Sequence, residues 1–135
     1  GMTSYLTMPV VPTVMGFDPR LQFVHEDDAI EVTRRAVLQR SAGTFNLSGP
    51  GVVLMSQAIR RLGRVQMPLP PAVMPVVGRT LARGAWADFS RDQVRYLTYG
   101  RVLDTSAVEN DVGFFPQYSS RQALESFAKA VQRHD

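Results

Sequence analysis

The chain has no cysteine, which excludes disulfides and thiolate metal sites. Imidazole is scarce as well: only His25 and His134 carry it, so a transition-metal centre is not expected. Lys129 is the sole lysine among fifteen basic side chains; the rest are arginines, spread along the chain without a run of three. Nucleic-acid binders concentrate such charge on one face or arm, so the net charge of +3 and the pI of about 9.8 read as solvated arginine, with no nucleic acid as partner. No stretch approaches the roughly 18 apolar residues that a membrane span requires. No basic segment followed by an apolar block opens the chain, so no signal peptide is expected and the cytoplasm is the default compartment. Gly1 before Met2 reads as a processing scar.

What is present suits a single domain over residues 1–135: 44% hydrophobic and 20% charged residues are enough to build a core. The stretch around which the rest is arranged is Arg20-Leu21-Gln22-Phe23-Val24-His25-Glu26-Asp27-Asp28. It reads as a short buried strand, Gln22 to Val24 with Phe23 and Val24 at its centre, running into a helix capped by Asp27 or Asp28. Upstream, Pro9 and Pro12 break Tyr5 to Met15 into short extended pieces ending at Gly16.

Downstream, the helix is expected to reach about Arg40. Ala29, Ile30, Thr33, Ala36 and Val37 form its apolar stripe, Glu31 and Arg35 pair outside, and Ser41-Ala42-Gly43 stops it. A strand over Thr44 to Leu47 follows, closed by Ser48-Gly49-Pro50-Gly51, and then a helix near Ser56 to Leu62 lined by Met55, Ile59 and Leu62. Met67 to Leu69 is extended, and Pro70-Pro71 opens a helix to about Arg83. Ser90 with Gln93 forms a capping box, with Phe89 and Val94 as its staple, fixing a helix from Arg91 to about Leu97. Val102-Leu103 is brief and extended. Asp104-Thr105 caps a short helix ending at Gly113. Ser119 and Gln122 repeat the capping box before a last helix striped by Leu124, Phe127, Ala128 and Val131. The fold class is α/β, helix-rich, with short strands alternating with helices.

Chemistry-bearing patterns are few. His25 beside Glu26, Asp27 and Asp28 suggests an acid–base cluster, but strand alternation splits these side chains between faces, which favours capping and structural roles. Nucleophile elbows and phosphate-binding P-loops are absent. Gly49-Pro50-Gly51 starts like a dinucleotide fingerprint, yet Leu54 occupies the third glycine position. No Tyr-x-x-x-Lys pair can be built, because Glu125 lies four residues before Lys129.

The order of segments resembles the C-terminal portion of an extended short-chain dehydrogenase/reductase of the NAD(P)-dependent epimerase/dehydratase family. Pro12-Thr13-Val14-Met15-Gly16 resembles the family's "lPvfG", and Phe23-Val24-His25-Glu26-Asp27-Asp28 its "fvHvdD". Gly43-Thr44-Phe45-Asn46-Leu47 resembles "GvyNlg". Leu103-Asp104-Thr105-Ser106 with Val112-Gly113-Phe114-Phe115-Pro116 resembles "lDtskar.eLGf.P", and Ser119-Ser120-Arg121-Gln122-Ala123-Leu124 resembles "ysteeal". The flavour is that of UDP-glucose 4-epimerase-like members.

The resemblance implies a substrate-binding region for a nucleotide sugar or similar small molecule, with no catalytic and no cofactor-binding residue of its own. NAD(P) is implied for the full-length parent only. It places Val14 and Met15 beside the nucleotide base, His25 near the substrate, and Arg95, with Arg101 behind it, on the diphosphate. Leu21 stands where many sugar-nucleotide epimerases carry an arginine, and the adjacent Arg20 is the candidate replacement. The expected partner is the missing N-terminal Rossmann domain or a second copy of the chain. The alternative is a free-standing interaction module that kept the fold without the chemistry; short strands with open edges invite a partner either way.

Overall fold

The computed structural model describes residues 2–83 and 91–134. Its elements are α1 (Met2–Leu6), β1 (Val10–Val14), β2 (Arg20–Leu21), α2 (Glu26–Leu38), β3 (Val53–Leu54), α3 (Met55–Arg61), β4 (Val65–Leu69), α4 (Met74–Arg83), α5 (Arg91–Tyr99), a π-helical turn (Val108–Val112) and α6 (Ser120–His134). The helix-rich α/β class is borne out. The Ser90 and Phe89 capping signals lie outside the described residues.

The strands form two small sheets. β1 pairs in parallel with β4, Val10 opposite Val65 through Val14 opposite Leu69, and β2 pairs antiparallel with β3. Pro12 and Pro68 are accommodated because each strand of a two-stranded sheet keeps one edge free of ladder bonds. Around these sheets lies a core of Tyr5 and Leu6 from α1, Val11 and Val14 from β1, Leu21, Val53, Ile59 from α3, Leu97 from α5, and Leu124 and Ala128 from α6. A second cluster joins Val108, Val112 and Phe114 to Val32, Phe45 and Leu47.

Several expectations need correction. The strand in the organising stretch is Arg20–Leu21, not Gln22 to Val24. Leu21 is the buried residue, because it faces Val53 across the β2–β3 ladder, whereas Val24 is 43% exposed. Thr44 to Leu47 forms no strand, since among the described residues no strand offers it a ladder; Phe45 and Leu47 are held instead by side-chain packing on the second cluster. The amino-terminal stretch starts as α1, which puts Tyr5 and Leu6 into the core.

Helix α2 departs most. Neither Asp27 nor Asp28 caps it. His25 does: its Nδ1 accepts from the Asp27 backbone N–H at 3.2 Å. The expected apolar stripe is not the buried one, as Ile30 is 66% and Val37 71% exposed. The fully buried residue is Asp28, whose carboxylate accepts from the backbone N–H groups of Gln117 and Tyr118 at 3.1 Å. The expected Glu31–Arg35 pair is present at 2.8 Å, with Arg34 on the same carboxylate. These guanidiniums hold the Glu31 carboxyl down to about 2. The helix ends one turn before Gly43, with Arg40 in the left-handed region at φ 51°. Arg40 N–H donates to Val37 O and Ser41 N–H to Ala36 O, the bond pattern of a Schellman stop.

Other expectations hold. Met55, Ile59 and Leu62 are buried under α3. Ser119 N–H donates to Gln122 Oε1 at 2.8 Å, and Gln122 N–H donates back to Ser119 Oγ at 3.2 Å, so the second capping box is formed. Asp104 Oδ1 accepts from Ser106 N–H at 2.9 Å, which caps the turn before Val108 and pulls its carboxyl below the usual range.

A polar knot ties the organising stretch to α6. Buried Ser120 donates from Oγ to Gly49 O at 2.9 Å and accepts from Phe23 N–H at 3.2 Å, while Gly49 N–H donates to Phe23 O at 2.8 Å. Gly49 must be glycine here: a Cβ would lie 2.6 Å from Tyr118 O and 2.8 Å from Ser120 N.

Candidate functional site

The end of β1 and the end of α5 meet. Past Val14, Met15 extends the pairing by donating its N–H to Leu69 O at 2.8 Å, and the chain turns so that Phe17 meets Tyr99 edge-on, ring centres 5.8 Å apart at 76°. Beside this pair a cleft of about 420 Å³ is lined by Asp92, Arg95, Tyr96, Tyr99, Gly100 and Arg101. Arg20 adjoins it through Gly100, whose Cβ, if it had one, would lie 2.4 Å from Arg20 O. That close approach, at φ +69°, is why glycine follows α5. Two residues on from Arg20, Gln22 Oε1 accepts from Leu103 N–H at 2.7 Å, which ties the end of β2 to the segment after α5.

The cleft carries two guanidiniums, Arg95 and Arg101, against one carboxylate, Asp92. Burial pushes the Tyr96 phenol up, and the nearby Arg101 charge partly opposes it. Such a concave, cationic, aromatic-rimmed surface suits a planar ring carrying an anionic group. Among the lining residues no serine, threonine, cysteine or lysine nucleophile sits beside a base.

Of the residues expected from sequence, Arg95 lines the cleft and Arg20 adjoins it through Gly100, while Met15 is exposed two residues before Phe17 and is not among the lining residues. Val14 is buried in the core, so its side chain positions Met15 and does not reach a ligand. His25 lies elsewhere. Its ring stacks on Tyr118 at 3.9 Å, with Nδ1 engaged at the α2 cap and Nε2 3.2 Å from Ser126 Oγ. With Nδ1 accepting, the ring proton sits on Nε2 and is donated to Ser126. His25 lines a separate cleft of about 210 Å³ with Phe23, Ser126 and Phe127. Phe17, Tyr96 and Tyr99 escaped the sequence reading; the only signal for them was aromatic residues next to Gly16 and Gly100.

A dinucleotide does not fit the one glycine-rich turn. Gly49 is closed off by the Tyr118–Ser120 backbone, and α3 beyond it is a seven-residue helix preceded by Leu54, which offers no side-chain oxygen to a phosphate. Among the described residues there is no group of three metal-ligating side chains, and no helix is long and apolar enough to cross a membrane.

No family model matches the chain. It is similar to the uncharacterized protein Rv0501 of Mycobacterium tuberculosis (strain ATCC 25618 / H37Rv), 36% identical over 126 residues, which is 93% of this chain and 34% of that protein. The uncharacterized protein Mb0513 of Mycobacterium bovis matches to the same extent. The uncharacterized protein Rv2047c of Mycobacterium tuberculosis is 30% identical over 128 residues, 93% of this chain and 14% of that protein. The chain thus spans about a third of the length of the first relatives and a smaller share of the last.

Proposed function

We propose that the chain is the substrate-binding C-terminal region of an NAD(P)-dependent sugar-nucleotide epimerase/dehydratase-like oxidoreductase, inactive by itself. The observation that carries this reading is the cleft on which Arg95, Arg101, Tyr96 and Tyr99 converge, with Phe17 edge-on against Tyr99 and Arg20 adjoining through Gly100. The guanidiniums would take the diphosphate and the Met15–Phe17 turn the base, where the family resemblance puts them. The cofactor, when bound, would supply hydride transfer, and it would come with a partner lobe. The first relatives, about three times as long as the matched segment, have the length for such a lobe.

The exposed apolar face of α2 is where such a lobe would dock. Ile30, Val37 and Leu38 are exposed along it, and a groove of about 490 Å³ runs between α2 and the Ala42–Leu47 segment. The same exposed helix favours a second reading, a non-catalytic module that uses this face to hold another protein or a second copy.

Calorimetric titration with UDP separates the two. The first reading expects saturable UDP binding that Arg95→Ala weakens about tenfold or more, since a charge-assisted contact is worth about 1.5–3 kcal/mol. Absence of UDP binding, with stable self-association lost in Val37→Asp, would favour the module.

A further inference from the structure

A fourth concavity, of about 240 Å³, to which no reading above assigns a ligand, is lined by Gln22, Ser48, Gly49, Pro50, Leu103, Thr105, Glu109, Phe115 and Pro116. Its wall includes Ser48, which is only 4% exposed and whose Oγ has no hydrogen-bond partner among the described residues. A buried hydroxyl without a partner is costly to keep, so such a group asks for an explanation. Around it sit groups with capacity to spare. Gln22 spends its Oε1 on Leu103 N–H, which leaves its amide NH₂ to donate. Thr105 donates to Glu109 Oε1 at 3.2 Å, which leaves the other carboxylate oxygen to accept. Leu103, Phe115 and Pro116 supply apolar wall, and Phe115 is an exposed ring.

We propose that this cavity binds a small, neutral, polyhydroxylated molecule of monosaccharide size. The chemistry of the wall selects the class. An anion would meet Glu109, the only charged lining group, with no guanidinium or ammonium to offset it. A metal ion would find one carboxylate and no second anionic ligand. An apolar molecule would leave Ser48 unpaired. A hydroxylated ring offers each of them a partner: one hydroxyl donates to Glu109, a second accepts from Gln22, a third pairs with Ser48 once its buried Oγ rotates toward the cavity, and a C–H face rests on Phe115. The volume is below that of a drug-sized pocket, which is about 300 Å³ or more, so a single sugar ring is the fitting size.

The site shares no lining residue with the Arg95 cleft, so the inference does not rest on the nucleotide-sugar reading. Saturation-transfer NMR on the chain tests it, with D-glucose, D-galactose and myo-inositol as separate probes and inorganic phosphate added as an anionic competitor. The expected result is saturable transfer to at least one of the three in the range of about 1–10 mM, undiminished by equimolar phosphate. Ser48→Ala is expected to weaken it about fivefold while leaving the melting temperature at or above that of the parent, because the variant removes an unpaired buried hydroxyl. Glu109→Gln weakens it further, and Arg95→Ala leaves it unchanged. No transfer up to roughly 50 mM, transfer unaffected by Ser48→Ala and Glu109→Gln, or transfer displaced by equimolar phosphate overturns the proposal. A marked loss of stability in Ser48→Ala also overturns it, because the hydroxyl would then have a partner within the fold.

Discussion

Replacing Asp28 is the sharpest probe of what holds the two ends of the chain together. Its carboxylate is 2% exposed and accepts from two backbone donors, Gln117 and Tyr118, some ninety positions away. In Asp28→Ala both N–H groups lose their acceptor. A buried donor left unpaired costs about 1–3 kcal/mol, and Gln117 is exposed enough for water to reach it, so the lower half of the range applies there. The expected loss is about 2–4 kcal/mol. For a chain of this length that corresponds to a fall in melting temperature of roughly 6–14 °C. Asp28→Asn keeps one acceptor oxygen but points an NH₂ at a donor, so it should fall in between, at about 1–2 kcal/mol. The damage should be local at first: Tyr118 leaves its stack on His25, visible as a loss of ring-current shift on the His25 protons in NMR. Calorimetric melting of the two variants is the assay. If Asp28→Ala melts within about 1 °C of the parent, the carboxylate is not the tether described.

Other substitutions test other joints. Arg40→Gly should stabilise the chain by about 1 kcal/mol, measured by urea unfolding, because a non-glycine residue pays for the left-handed conformation that ends α2. Gly49→Ala should destabilise by about 2 kcal/mol or more, since the added methyl meets backbone of residues 118–120 that cannot yield as a side chain would. Glu31→Gln should flatten the acid limb of the melting curve. The folded carboxyl titrates at about 2, below the ordinary 4.5, so its ionised form contributes fully above pH 4.5 and that contribution fades as pH falls toward 2. Because Glu31 and its arginines lie at the surface, the difference between parent and variant should shrink in about 1 M salt.

What could be read in the sequence was local. The Ser119–Gln122 box and the stripe of α6 depend on side chains three or four residues apart, so the string holds them complete. The same is true of the Glu31–Arg35 pair. What could not be read was decided by partners distant in sequence. Phe23-Val24 looked like a buried strand by apolarity, yet burial went to Leu21 because only Leu21 faces Val53 across a ladder. Asp28 looked like a cap because aspartate caps helices; a loop at Gln117 claimed it, and His25, with a ring nitrogen rather than an oxygen, took the cap.

The exposed side of α2 was expected to be its buried side. Ile30 and Val37 have the right spacing for a core stripe, but among the described residues nothing covers them. At the cleft, Arg95 came from family resemblance and lines it, Arg20 adjoins it through Gly100, and Met15 stays outside the lining. The Phe17–Tyr99 contact spans two elements that no local pattern links, and it appears only once β1 and α5 are side by side.

The central claim is that this chain holds a substrate and leaves the dinucleotide to another lobe. One calorimetric experiment addresses it: UDP-glucose and NAD titrated separately into the purified 135-residue chain. Saturable heat with UDP-glucose, reduced in Arg95→Ala, together with none for NAD, is the expected result. Tight one-to-one uptake of NAD by this polypeptide, with UDP-glucose inert, would contradict it.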